Sequence, residues 1–92
     1  MRVILRDSAV ADLEDIHAWI AAERPSSADR VVDRILDTLQ LLELFPESGR
    51  PGRVEGTREL VVPRLPYIVV YQVDRELEAV RVQSVVHGAR DR

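Results

Sequence analysis

Four residues in the second half of the chain have side chains that could act on a phosphate group or hold an anion. Three are arginines, Arg58, Arg64 and Arg81, and a guanidinium group forms paired hydrogen bonds with phosphate or carboxylate oxygens. The fourth is His87, and histidine is the side chain that exchanges a proton nearest to neutral pH. Arginine stays protonated and is a poor general base. Proton transfer by His87 and charge stabilisation by the arginines is therefore the chemistry this set offers.

Each of these residues also has a purely structural explanation. His87 stands at the end of a predicted strand and could be a polar cap where a sheet meets solvent. Arg81 could pair with Glu59 on a neighbouring strand. Arg58 and Arg64 flank another predicted strand and could protect its edge from unwanted pairing. The spacing alone leaves both explanations open.

Three other features concern binding and packing. Trp19, the only tryptophan, is expected to pack in a helical hairpin, whereas an exposed Trp19 would indicate a partner surface. Arg90, near the end of the chain, is a further candidate for contact with a target or partner. Tyr67 and Tyr71 lie on one face of a predicted strand, where core packing is favoured over base stacking.

Composition limits the classes of protein that the chain can be. Ninety-two residues, 46% of them hydrophobic, suit one compact domain over residues 1–92. The absence of cysteine excludes disulfides and thiol chemistry, and two histidines far apart make no metal-ligand pattern. We therefore expect no metal and no cofactor. No apolar run approaches the roughly 18 residues of a membrane span, and no signal peptide is indicated, so a cytoplasmic protein is expected.

The net charge of −3 hides a division between the two halves of the chain. Residues 1–47 hold five arginines and ten acidic residues, whereas residues 48–92 hold eight arginines and six acidic residues. All thirteen basic residues are arginine. A protein that only grips nucleic acid is usually more basic than this. The acidic first half argues against that role.

Three runs rich in β-branched residues predict a meander of strands in the second half. The runs are Arg58–Val62, Tyr67–Val73 and Leu77–Val86, separated by short segments with proline or charged residues. Such short connections predict antiparallel neighbours. A further short strand is predicted at Arg2–Arg6, where Val3 and Leu5 alternate with the other side chains.

Two amphipathic helices are predicted between these strands. The first is capped by Asp7 or Ser8 and closed by Pro25. The second is capped by a serine at position 26 or 27 and ends at Pro46, after which a Gly- and Pro-rich loop runs to Thr57. Their apolar stripes are Val10, Leu13, Ile16 or His17, and Ile20 in the first, and Val32, Ile35, Leu39 and Leu42 in the second.

The order β-α-α-β-β-β predicts an α+β fold, with a helical hairpin on one face of a small, mostly antiparallel sheet. Strict alternation places Arg81, Gln83 and His87 on one face of the last strand. We expect that face to be the one the helices leave open. Arg58 and Arg64 could join it from across the meander.

Several stretches, in this order, resemble the ParE/RelE family of bacterial toxins from type II toxin–antitoxin (plasmid stabilisation) systems. The resemblance covers nearly the whole chain. It is carried by S-A-V-A-D-L-E-D-I (Ser8 to Ile16), F-P (Phe45-Pro46), G-R-P-G-R (Gly49 to Arg53), R-E-L-V-V (Arg58 to Val62), P-Y-I-V-V-Y-Q-V (Pro66 to Val73) and V-V-H-G-A-R-D (Val85 to Asp91).

The resemblance implies a growth-inhibiting toxin that a co-expressed antitoxin neutralises. RelE-like members cut mRNA in the ribosome, and in such a member His87, Arg81 and Arg58 would be catalytic. ParE-like members poison DNA gyrase and catalyse no reaction of their own. The absence of lysine and the acidic balance favour the ParE-like branch, with mRNA cleavage as the alternative.

In the ParE-like interpretation the partner is a ParD-like antitoxin. It would carry an acidic, partly disordered segment that folds on contact. Residues expected to bind the target or this antitoxin are Arg58, Arg64, Arg81, Arg90 and Trp19.

Overall fold

The computed structural model describes residues 1–89 and has two helices packed on one face of a five-stranded sheet. The strand order is β1-β5-β4-β3-β2; β1 runs parallel to β5 and the other neighbours are antiparallel. This confirms the expected α+β architecture. The elements are β1 (Arg2–Leu5), α1 (Asp7–Ala21), α2 (Pro25–Leu44), β2 (Arg50–Pro51), β3 (Arg58–Val61), β4 (Tyr67–Asp74) and β5 (Ala79–His87).

The strands agree with the sequence pattern except at β2. That two-residue strand lies in the predicted loop, where Arg50 pairs with Glu59 at the edge of the sheet. Pro51 fits an edge because it lacks the N–H that a central strand would use. Neither helix in the described chain is apolar enough over a sufficient length to cross a membrane.

The helix ends differ from the prediction. Arg6 is the N-cap of α1 and makes no side-chain capping bond, so neither Asp7 nor Ser8 caps the helix. Pro25 does not close α1; it is among the first residues of α2, which makes the predicted serine cap wrong as well. Proline suits this position because its fixed φ is helical and its missing N–H would have no partner there.

The core lies between the helices and the inner face of the sheet. Leu13, Ile16 and Ile20 of α1 pack in it as expected, but Val10 is 42% exposed and Ala9 is fully buried instead. A small side chain at that position lets α1 approach the sheet closely. The largest fully buried side chains are Tyr71, Ile35, Leu42, Val62, Val69, Val80 and Val82.

A β-bulge changes which side chains of β5 face the helices. Tyr71 of β4 pairs with Val82 and its neighbour Val70 pairs with Ser84, so Gln83 is an extra residue in β5. Before the bulge Val82 faces the helices; after it, Val85 does so and is 3% exposed. The alternation is therefore offset by one residue along the rest of the strand.

Two side chains of α1 satisfy the backbone around this bulge. Ser8 Oγ donates a hydrogen bond to the carbonyl oxygen of Gln83 at 2.5 Å. Asp12 Oδ2 accepts one from the N–H of Val85 at 2.9 Å. Ser8 and Asp12 lie one helical turn apart and so share a face of α1. These bonds fasten the helix to the irregular part of the strand.

Candidate functional site

Arg58 anchors the loop that precedes it. Its Nη1 atom donates hydrogen bonds to the carbonyl oxygens of Gly49, at 2.8 Å, and Glu47, at 3.3 Å. The N–H of Gly49 donates to Tyr71 Oη at 2.8 Å, and a Cβ at position 49 would lie only 2.7 Å from that oxygen. Glycine is therefore required for this close approach. The guanidinium of Arg58 is used to fix the loop against the sheet.

Arg81 lies on the open face of the sheet, as predicted, within a small polar cluster. Its Nη2 atom is 3.1 Å from Asp74 Oδ2, and its backbone partner across the ladder is Gln72. Gln83 Nε2 donates to Gln72 Oε1 at 2.6 Å. The sequence left open whether Arg81 binds an anion or pairs with a carboxylate of the sheet; it pairs with Asp74 on the adjacent strand.

Glu59, which the sequence suggested only as a possible partner of Arg81, is only 5% exposed. Its Oε1 atom is 3.5 Å from Nη2 of Arg50, and its Oε2 atom accepts a hydrogen bond from the N–H of Arg53 at 3.4 Å. Arg50 and Arg53 come from the G-R-P-G-R stretch. The buried carboxylate therefore holds that stretch against the edge of the sheet.

His87 lies on the opposite face of the sheet from Arg81, contrary to the sequence prediction. The reason is the bulge at Gln83, which reverses the alternation of β5 from that point onwards. The imidazole meets the ring of Tyr67 edge to face, with centroids 5.5 Å apart. His87 Nδ1 accepts a hydrogen bond from the N–H of Ala89 at 3.2 Å.

A cleft of about 290 Å³ separates this part of β5 from α1. Two carboxylates of α1, Asp12 and Asp15, line it together with two aromatic side chains. Trp19 is one of these, is 68% exposed, and so matches the partner-surface alternative rather than core packing. The remaining lining residues are Ile16, Tyr67, Val85 and His87.

Arg64 is found at the turn between β3 and β4, next to α2. The N–H of Leu65 donates to the carbonyl of Val62 at 3.2 Å, with Pro63 second in the turn and Arg64 third at φ 66°. This is the arrangement of a type II turn, whose third position favours glycine or asparagine. Arg64 is exposed and directed away from the face that carries Arg81.

The structure thus distributes the predicted residues over four places. Arg81 is on the open face, His87 is in the cleft beside α1, Arg58 is under the loop, and Arg64 is beside α2. Arg90 lies outside the described residues. Tyr67 and Tyr71 are 5% and 0% exposed, which confirms their expected role in the core. Within residues 1–89 no group of three His, Asp or Glu side chains could hold a metal ion.

Comparison with known proteins defines the class of this chain as a toxin of a type II toxin–antitoxin system. Residues 3–92 match the family described as ParE toxin of type II toxin–antitoxin system, parDE. The chain belongs to this ParE toxin family. The resemblance seen in the sequence is thereby confirmed.

Two relatives carry toxin names. Putative toxin Y4kP of Sinorhizobium fredii is 43% identical over 80 residues, which cover 87% of this chain and 80% of the relative. Toxin RelE2 of Caulobacter vibrioides is 33% identical over 82 residues, which cover 89% of each protein. One of these two relatives is therefore named as a RelE toxin.

Two solved structures share the fold. A chain of the chromosomal ParDE toxin–antitoxin system from P. aeruginosa superposes with a TM-score of 0.85 at 23% identity, covering 95% of both chains. A chain of the toxin–antitoxin complex RelBE2 from Mycobacterium tuberculosis gives a TM-score of 0.60 at 25% identity, covering 94% of this chain and 95% of that one. The helical hairpin on a small sheet is therefore the architecture of this toxin class.

Proposed function

We propose that this toxin binds and poisons DNA gyrase, catalyses no reaction, and is neutralised by a ParD-like antitoxin. One observation carries the proposal: the residues that a nuclease would need do not converge. Arg81 and His87 are on opposite faces of the sheet, and Arg58 is committed to two loop carbonyls. The whole chain, residues 1–92, acts as one toxin domain in the cytoplasm, where gyrase works.

The chemistry of RNA cleavage makes this separation important. One phosphate must be reached at the same time by a base, an acid and a group that stabilises charge, each within about 3 Å of its target atom. Side chains on the two faces of one sheet point in opposite directions and cannot meet at one phosphate. A binding mechanism needs only a complementary surface, and an exposed Trp19 suits that role.

The antitoxin partner is proposed from the solved structures that share this fold. Both solved structures described above belong to toxin–antitoxin systems, one ParDE and one RelBE2. A partner of this kind, made together with the toxin, would keep it inactive until the partner is lost. The family match to the toxin of parDE favours a ParD-like protein over other antitoxins.

A second candidate is ribosome-dependent cleavage of mRNA. The observation that favours it is the 33% identity to toxin RelE2 of Caulobacter vibrioides, together with the structural similarity to the RelBE2 complex. In this case Arg58, Arg81 and His87 would have to be brought together by a rearrangement of the sheet on the ribosome.

A gyrase cleavage assay tests the proposal. Purified toxin is incubated with gyrase, ATP and supercoiled plasmid, and the reaction is stopped with detergent and protease. We expect linear plasmid to accumulate with toxin concentration and to disappear when the product of the adjacent gene is added. A translation extract programmed with a defined mRNA runs in parallel. Intact plasmid together with a cleaved transcript would overturn the proposal.

A further inference from the structure

The outer side of α2 and the turn between β3 and β4 enclose a groove that the proposed function does not use. It consists of two adjoining depressions that share Arg34. Pro63 and Arg64 of the turn line one depression, and Leu65 lines the other. The depression that Pro63 and Arg64 line also includes Asp37, Thr38 and Leu41. The depression that Leu65 lines also includes Ser27, Arg30 and Val31.

Three arginines and only one carboxylate line this groove. Arg30, Arg34 and Arg64 are all exposed, while the only acidic lining residue is Asp37. Arg30 makes a 3.4 Å hydrogen bond to Ser27 Oγ. Within residues 1–89 no ion pair joins any of these three arginines to a carboxylate. The groove is a local positive site, to which Arg30 and Arg34 come from the acidic half of the chain and Arg64 from the other half.

The geometry of Arg64 gives a second reason to assign a role to this groove. Its φ of 66° lies in the left-handed region, which L residues with a long side chain rarely adopt. Glycine or asparagine would fit the third position of this turn without that strain. Strained backbone that carries an exposed charged side chain points to a role for the side chain. Here Arg64 lines the groove.

We propose that this groove is the docking surface for a segment of the antitoxin that carries both carboxylates and apolar side chains. The inference rests on the proposed function in taking the antitoxin as the partner. Arg30 and Arg34 are one helical turn apart, a spacing that matches carboxylates one turn apart on a helix or two residues apart on a strand. Val31, Leu41 and Leu65 provide apolar surface between the cations.

A polypeptide fits the groove better than nucleic acid. A phosphate backbone presents charge without apolar groups, so it would leave Leu41, which is 49% exposed, and the proline of the turn without a partner. In a polypeptide, apolar side chains cover the floor while carboxylates meet the arginines.

The test compares two sets of exposed arginines. The groove variants are the double variant Arg30→Gln/Arg34→Gln and the single variant Arg64→Asn, which removes a charge and tolerates a positive φ. The control is Arg6→Gln/Arg24→Gln, two exposed arginines at the helix N-caps, with the same change in net charge as the double variant. The probe is the purified antitoxin encoded beside the toxin gene, and binding is followed by calorimetry at low and high salt.

We expect each groove variant to bind the antitoxin about tenfold more weakly or worse at low salt, with a smaller loss at high salt. The control should change affinity by less than about threefold. Thermal unfolding followed by circular dichroism should give melting temperatures close to that of the wild type. Equal affinity of folded groove variants and wild type would overturn the inference.

The gyrase cleavage assay separates this inference from the proposed function. If the inference holds, the double variant Arg30→Gln/Arg34→Gln poisons gyrase as the wild type does but requires more antitoxin for neutralisation. If the groove variants lose gyrase poisoning while they keep antitoxin affinity, the groove serves the target and the inference is wrong. If the wild type fails to poison gyrase, the proposed target is wrong, and the calorimetric comparison still decides the groove.

Discussion

The four residues that could act on a phosphate group each contact a different part of the structure. His87 meets Tyr67, Arg81 meets Asp74, Arg58 meets loop carbonyls, and Arg64 lies in a turn beside α2. The sequence identified these four residues by their side-chain chemistry. It also placed Arg81 on the open face of the sheet, because side chains alternate between the two faces of a strand. The face of His87 was not predictable, since one extra residue in β5 reverses the alternation and no local signal at Gln83 marks it.

The position of His87 leads to a prediction about activity. His87→Gln should leave gyrase poisoning within about threefold of the wild type, because a side chain that performs no proton transfer contributes only its contacts. A general acid or base would instead lose about 10²-fold to 10⁴-fold in rate. A dose–response curve for plasmid linearisation measures this. A loss of two orders of magnitude in a folded variant would contradict our account of His87.

The strained turn at Arg64 leads to a prediction about stability. Arg64→Asn should be more stable than Arg64→Ala by about 1 kcal/mol, because asparagine tolerates the left-handed region that alanine avoids. Both variants lack the charge, so the comparison isolates the backbone. Urea denaturation of the pair measures the difference. Equal stabilities would mean that the turn has no such strain.

At the scale of elements, most strands and both helices were predictable, and their ends were not. The β-branched runs predicted β3, β4 and β5 to within a few residues, because burial on a pleated face selects those side chains. Pro25 was misread because proline fits both after a helix and in its first turn. The role of Ser8 and Asp12 depends on their contact with a bulge more than 70 residues later, which helix-capping rules do not anticipate.

The link between α1 and the bulge can be tested directly. Asp12→Ala should lower the free energy of unfolding by about 1–3 kcal/mol, because the N–H of the buried Val85 loses its acceptor. Asp15→Ala is the matched control, since Asp15 is exposed on the same helix. Chemical denaturation of both variants measures the difference. A loss of the same size in the control would show that helix charge, and not this bond, is responsible.

Substitution of Arg58 distinguishes a structural role of this residue from a catalytic one. Arg58→Gln should destabilise the protein by about 1–2 kcal/mol, because the loop carbonyl of Gly49 loses a charged donor. The control Arg53→Gln, in the exposed part of the same loop, should change stability by less than about 0.5 kcal/mol. Denaturation curves and toxicity are measured together. Full stability with complete loss of toxicity would point to a catalytic Arg58 instead.

At the scale of the whole molecule, the sequence predicted the α+β fold and the toxin family, and both are confirmed. The order of elements and their apolar faces were enough, because a helical hairpin and a small sheet have few ways to bury each other. The distribution of charge was visible only as a difference between halves. The fold converts it into a local feature, the groove beside α2, where Arg30 and Arg34 of the acidic half lie near Arg64 of the other half.

The measurement that tests the central claim most directly is pulse labelling of bacteria in which this chain alone has been induced. Incorporation of thymidine and of an amino acid is followed over the first minutes. We predict that thymidine incorporation falls first, with a DNA-damage response, while amino-acid incorporation continues. An early stop in protein synthesis with continued DNA synthesis would contradict gyrase poisoning and would indicate mRNA cleavage.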